Sequence, residues 1–289
     1  MIFLLLSIIL NASLFIILKY FERFKVNNLQ ALVVNYFTAF TLGMLSNTGA
    51  HGIASIPQMN WAGTAIIMGS LFILVFILIA KTAQEIGISV ATVANKMSVI
   101  IPVIIAVLCY HNSLGVKKIA GILLALLAVF LTSRKEKEAG VVKSVRTFFL
   151  PVVVFLGSGI IDALVNYAQE IMILPGDSSL FLASGFATAA CIGFCIILFR
   201  FFFRGEKFEV KSLIAGILLG IPNYISIWCL MEALRTHFVE SSVMYPLNNM
   251  GIVLLCAGGS FLLFREKFSA LNLAGIGLSL IAITLIAFS

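Results

Sequence analysis

Ile119-Ala120-Gly121-Ile122-Leu123-Leu124-Ala125-Leu126 returns late in the chain as Leu273-Ala274-Gly275-Ile276-Gly277-Leu278-Ser279-Leu280. Each copy follows a short polar turn and leads into an apolar tail. Carried backwards, the register sets Gly69 against Gly220 and Ala91 against Ser242, once a gap of about three residues is allowed before the final segment. A repeat of this kind in an apolar chain predicts a membrane protein built from two related halves.

Composition sets the solvent. The 289 residues are 61% apolar and 11% charged, with a mean hydropathy of +1.13, more apolar surface than a water-soluble core hides. The apolar runs are continuous, whereas a barrel strand alternates over about ten residues. The predicted fold is therefore an all-α polytopic membrane protein. About ten runs of spanning length occur: 1–20, 30–48, 61–81, 88–110, 116–133, 147–169, 178–203, 211–232, 239–263 and 268–288. They group into a first five-helix repeat at 1–133, a charged linker at 134–146 and a second five-helix repeat at 147–289. No nucleic-acid motif accompanies the net charge of +7, which reads as topology.

The basic residues are lopsided among the connections. Odd-numbered connections carry fifteen Lys and Arg, among them Lys19, Arg23, Lys25, Arg200, Arg204, Lys207 and Lys211, and even-numbered ones carry three: Lys117, Lys118 and Arg235. The positive-inside rule places the odd connections in the cytoplasm and both termini outside, in a multi-pass inner (plasma) membrane protein. Five spans per half then make the two halves inverted. Met1–Leu18 lacks the basic start of a cleavable leader and reads as a first span. Cys109, Cys191, Cys195, Cys229 and Cys256 have no metal-type spacing and read as small buried apolar residues. His51, His111 and His237 fall in outward connections. No metal or cofactor is expected.

Two five-span halves, each ending in a polar turn and an Ala-Gly-Ile helix, resemble the ten-helix drug/metabolite transporter superfamily, specifically its EamA-type branch. A Glu often stands in the turn before the last helix of each half in that family. Arg265-Glu266-Lys267-Phe268 matches, whereas His111-Asn112-Ser113-Leu114 puts Asn112 in place of the acid. The resemblance implies transport and cytoplasmic termini, the latter opposed to the loop charges.

Two ionisable residues fall deep within the runs, Lys96 in the fourth and Asp162 in the sixth. A mid-membrane charge is costly, so such residues face the bundle interior or a cavity. Ser158, Asp162, Asn166 and Gln169 form a polar stripe on the sixth helix, and Ser89, Thr92 and Lys96 another on the fourth. The ninth run offers Tyr245, Asn248 and Asn249 around Pro246; the eighth offers Pro222, Asn223, Tyr224 and Trp228. Pro102, Pro222 and Pro246 are read as helix breaks that free backbone carbonyls. Asn11 and Asn35 read as interhelical amides.

An acid and a base beside aromatic side chains suit a small polar or zwitterionic solute, amino-acid-like in chemistry. Asp162 would face an ammonium and Lys96 a carboxylate in a central cavity, with Tyr224, Trp228 and Tyr245 as walls and Asp162 as the coupling group of a proton-driven permease or exporter. Uniport is equally allowed. A membrane-embedded enzyme is the alternative, but the second Asp, Asp177, sits in a turn and no His lies within a run; a scaffold or receptor is the other. Small residues Gly121, Ala125 and Ala128 on the fifth helix, and Gly275 and Ser279 on the tenth, allow close packing within a monomer or across a homodimer.

Overall fold

The computed structural model describes residues 1–47, 49, 51–102, 104, 116–132, 145–173, 177–235, 241–266 and 268–287. Asn112, His111, Cys109, His237 and linker residues 134–144 lie outside that set. The longer elements are α1 (Ile2–Arg23), α2 (Asn28–Leu45), α3 (Ala62–Glu85), α4 (Ile88–Met97), α5 (Val116–Thr132), α6 (Val145–Tyr167), α7 (Ser178–Arg204), α8 (Val210–Arg235), α9 (Ser241–Phe264) and α10 (Ala270–Ala287). No strand occurs among the described residues. Five stretches, α1, α3, α7, Val210–Ala233 of α8 and Leu247–Phe264 of α9, are long and apolar enough to cross a bilayer. Shorter apolar stretches lie in α4, α5, α6 and α10.

The chain divides into two compact units. Met1–Lys19, Leu78–Ile160 and Ile225–Ser289 form one; Tyr20–Ile77 and Ile161–Tyr224 form the other. In the first unit α5 packs along α10, and α4 lies on α9, α5 and α10. Small residues permit the α5–α10 approach: a β-carbon on Gly275 would stand 2.8 Å from the Thr132 nitrogen and 3.0 Å from the Ala128 carbonyl oxygen. Ala125, Ala128 and Ser279 are fully buried. The Asn272 amide donates to the Thr132 carbonyl at 2.9 Å, satisfying an acceptor that the end of α5 leaves free. Lys19 Nζ donates to the Gln84 carbonyl at 2.7 Å, and Gln84 Nε2 to that of Leu18 at 2.8 Å, tying the ends of α1 and α3.

In the second unit α2 packs along α7. Its core is aromatic, with Tyr36, Phe72 and Phe186 stacked at centroid separations of 5.5–6.4 Å. The Tyr36 hydroxyl donates to the Phe72 carbonyl at 2.8 Å, so the ring is buried without stranding its polar tip. The pairs α2–α7, α4–α9 and α5–α10 each join helices of equal rank in the two halves of the sequence.

Three local features depart from the sequence expectations. The 88–110 run is not one helix from its start: α4 ends at Met97, and a turn at Ser98–Val99 precedes the helical residues leading to Pro102. Neither Pro222 nor Pro246 breaks its helix, since α8 and α9 run through them. After Tyr167, α6 widens into a π-turn over Ala168–Met172, with Ile173 N–H donating to the Ala168 carbonyl at 2.9 Å. The 3.6-residue register therefore holds from Ser158 to Asn166 and does not extend to Gln169.

Candidate functional site

The fourth helix gathers polar side chains because it stops early. Pro102 has no N–H to give the Ser98 carbonyl four residues back. Ile101 N–H takes that carbonyl instead at 2.9 Å, a tighter i→i+3 bond, and Ser98 Oγ donates to the Asn95 carbonyl at 2.5 Å. Lys96 thus sits in the last turn of α4, where unsatisfied carbonyls and the negative end of the helix dipole favour an ammonium. It is half-buried. This explains how a cation is tolerated inside an apolar run.

The neighbours of α4 are polar at helical spacing. Ser89 Oγ meets Ser260 Oγ at 3.0 Å. Thr92 Oγ1 donates to the Ile88 carbonyl at 2.9 Å, and the buried Cys256 thiol on α9 donates to the Ala12 carbonyl at 3.8 Å. Asn95 Nδ2 donates to Ser158 Oγ at 2.9 Å, joining α4 to α6. At the start of α4, Glu266 Oε1 accepts from Ile88 N–H at 3.3 Å. Asn248, on α9, is 3% exposed, and its Oδ1 has no hydrogen-bond partner among the described residues. Asn249 beside it is half-buried. Trp228 in the same unit is 40% exposed and meets Phe3 edge-on at 5.9 Å.

A second polar group stands in the other unit. Asn223 Nδ2 donates to Asn35 Oδ1 at 3.1 Å in full burial, and Asn35 Nδ2 has no partner among the described residues. Tyr224, the next residue, hydrogen-bonds Ser46 through its hydroxyl. Asp162 is half-buried on α6. It is the second residue of the segment of α6 assigned to this unit, which starts at Ile161, whereas Ser158, on the same stripe, belongs to the first. Asn166, Tyr245 and Pro246 lie on helical backbone.

Several residues were missed in the sequence. Asn95 is a lone amide beside Lys96, and its partner is hidden in the opposite half. Glu232, at the edge of the eighth run, lies within α8 and is half-buried. His51 Nδ1 contacts the Asp177 carboxylate at 3.0 and 3.1 Å, and Asp177 is 3% exposed; both read as ordinary loop residues because nothing local links them. Cys229 and Cys256 are buried as expected, but Cys191 and Cys195 are exposed. Four residues apart on α7, these two thiols share an outward helical face.

No family model matches the chain. A Haemophilus influenzae protein described as uncharacterized is 26% identical over 281 residues, which cover 96% of this chain and 94% of that protein. A solved structure, described as the crystal structure of a protein, superposes with a TM-score of 0.63 at 12% identity, over 98% of this chain and 94% of the other. The helical fold is shared over nearly the whole length of both.

Proposed function

We propose that the chain is a secondary transporter of the EamA-type drug/metabolite class, moving a small polar or zwitterionic metabolite of amino-acid-like chemistry across the plasma membrane by alternating access. The observation that carries this reading is Lys96, a cation at the end of an interrupted helix in a chain of apolar helices. A helix end gains only about 0.3–1 kcal/mol from a cation, less than a charge within an apolar run costs, whereas a carboxylate-bearing solute gains a preorganised partner. Asp162 supplies the opposite charge and the proton-coupling group. The buried amide of Asn248, in the same unit as Lys96, supplies a further acceptor. The pairing of helices of equal rank supports an architecture of ten spans in two inverted repeats.

Purified protein in liposomes loaded with a mixture of neutral amino acids tests the reading by counterflow. Lys96→Ala and Asp162→Asn are each expected to lower counterflow at least about tenfold, the loss of one charge-assisted hydrogen bond. If both variants retain wild-type counterflow of every solute that accumulates, the proposed residues are wrong.

A further inference from the structure

We propose that the turns α1–α2 and α7–α8 together form a binding face for an anionic diacyl phospholipid. The inference needs only the membrane character of the chain and is independent of what the chain transports.

The two turns are held side by side by buried polar side chains. Gln30, 3% exposed, donates from Nε2 to the Lys207 carbonyl at 3.0 Å and accepts at Oε1 from Glu209 N–H at 3.0 Å. Asn27 N–H donates to Ser212 Oγ at 3.3 Å, and Ser212 is fully buried. One amide therefore satisfies backbone groups of the distant turn, fixing its position. Gly205, left-handed at φ 64°, closes α7 by donating to the Arg200 carbonyl.

With the backbones clamped inward, the side chains project outward in two kinds. Arg23, Lys25, Arg204, Lys207 and Lys211 are exposed. Arg200 pairs with Glu206 at 3.6 Å and Lys211 with Glu209 at 3.1 Å. Six basic residues stand against Glu22, Glu206 and Glu209, leaving a local charge of +3. Interleaved with them are large exposed aromatics: Phe24 at 64%, Phe202 at 73% and Phe203 at 75%. Phe202 and Phe203 end α7, one of the helices able to cross a bilayer.

A cation-rich turn beside phenyl rings at the end of a spanning helix matches a molecule with an anionic phosphate head and adjoining acyl chains. Basic residues attract anionic headgroups and aromatic rings favour the interface. A nucleic acid or acidic protein would satisfy the charges and leave the rings of α7 unmatched.

The test uses the full chain in detergent, titrated with phosphatidylglycerol and followed by native mass spectrometry, with phosphatidylcholine and inorganic phosphate as separate arms. Wild type should bind phosphatidylglycerol well above phosphatidylcholine, with no competition from millimolar phosphate. Arg204→Gln with Lys207→Gln should bind phosphatidylglycerol on the order of tenfold more weakly, and the charge-preserving pair Arg204→Lys with Lys207→Arg should bind as wild type. Equal binding of the two lipids, full displacement by phosphate, or undiminished binding by the neutralised pair would each overturn the proposal.

Discussion

Gly87 has φ +148° and ψ 155°, a conformation that side-chain-bearing residues rarely adopt. A β-carbon there would also stand 3.1 Å from Glu266 Oε2. The carboxylate occupies that space because its other oxygen accepts the Ile88 N–H at the start of α4, where an anion suits the positive end of the helix. Gly87→Ala is expected to destabilise by about 1–3 kcal/mol through backbone strain, read as a lowered Tm in detergent. Glu266→Gln, which keeps an acceptor, should lose only about 0.3–1 kcal/mol; an equal or larger loss would contradict the capping role. Glu266 was visible in the sequence as the acid of a recurrent turn. Its partner was not, because the two meet across the halves and no local pattern encodes that meeting.

At the level of the helix, hydropathy located the apolar runs well but said little about where a hydrogen-bond ladder stops. Pro102 and Pro222 look alike in sequence, each inside an apolar run, yet only the first lies beside an interruption. Ser98, four residues before Pro102, has a hydroxyl that engages the Asn95 carbonyl and competes with the ladder. The equivalent residue before Pro222 is Leu218, which offers no competing group, and the helix continues on both sides. Pro102→Ala restores the missing N–H and should leave thermal stability unchanged or slightly raised. On the transport reading it lowers counterflow severalfold, because Lys96 loses its place at a helix end; unchanged counterflow would show that the interruption is dispensable.

For the molecule as a whole, the repeat indicated which helices correspond, and the charged loops indicated a topology. Neither indicated the grouping into units, because burial in an all-apolar chain follows packing rather than hydropathy. Each unit draws on both sequence halves, joined by contacts such as Asn95 to Ser158 and Asn35 to Asn223. The loop charges, fifteen basic residues on odd connections against three on even ones, argue for both termini outside. Alkaline phosphatase fused after Ser289 should then be active, and a fluorescent protein fused there dark; the reverse would place the termini in the cytoplasm.

The bond from Ser7 Oγ to the Ser226 carbonyl spans 219 residues, and the Cys256 thiol meets the Ala12 carbonyl from farther still. A ribosome making this chain therefore releases its earliest helix long before these two partners exist. Neither unit can close while only the first half has been translated. The nascent first half must wait in the lipid or the insertion machinery with groups such as Asn35 and Asn95 unmet, so quality control has its longest access to the chain before the final helices arrive.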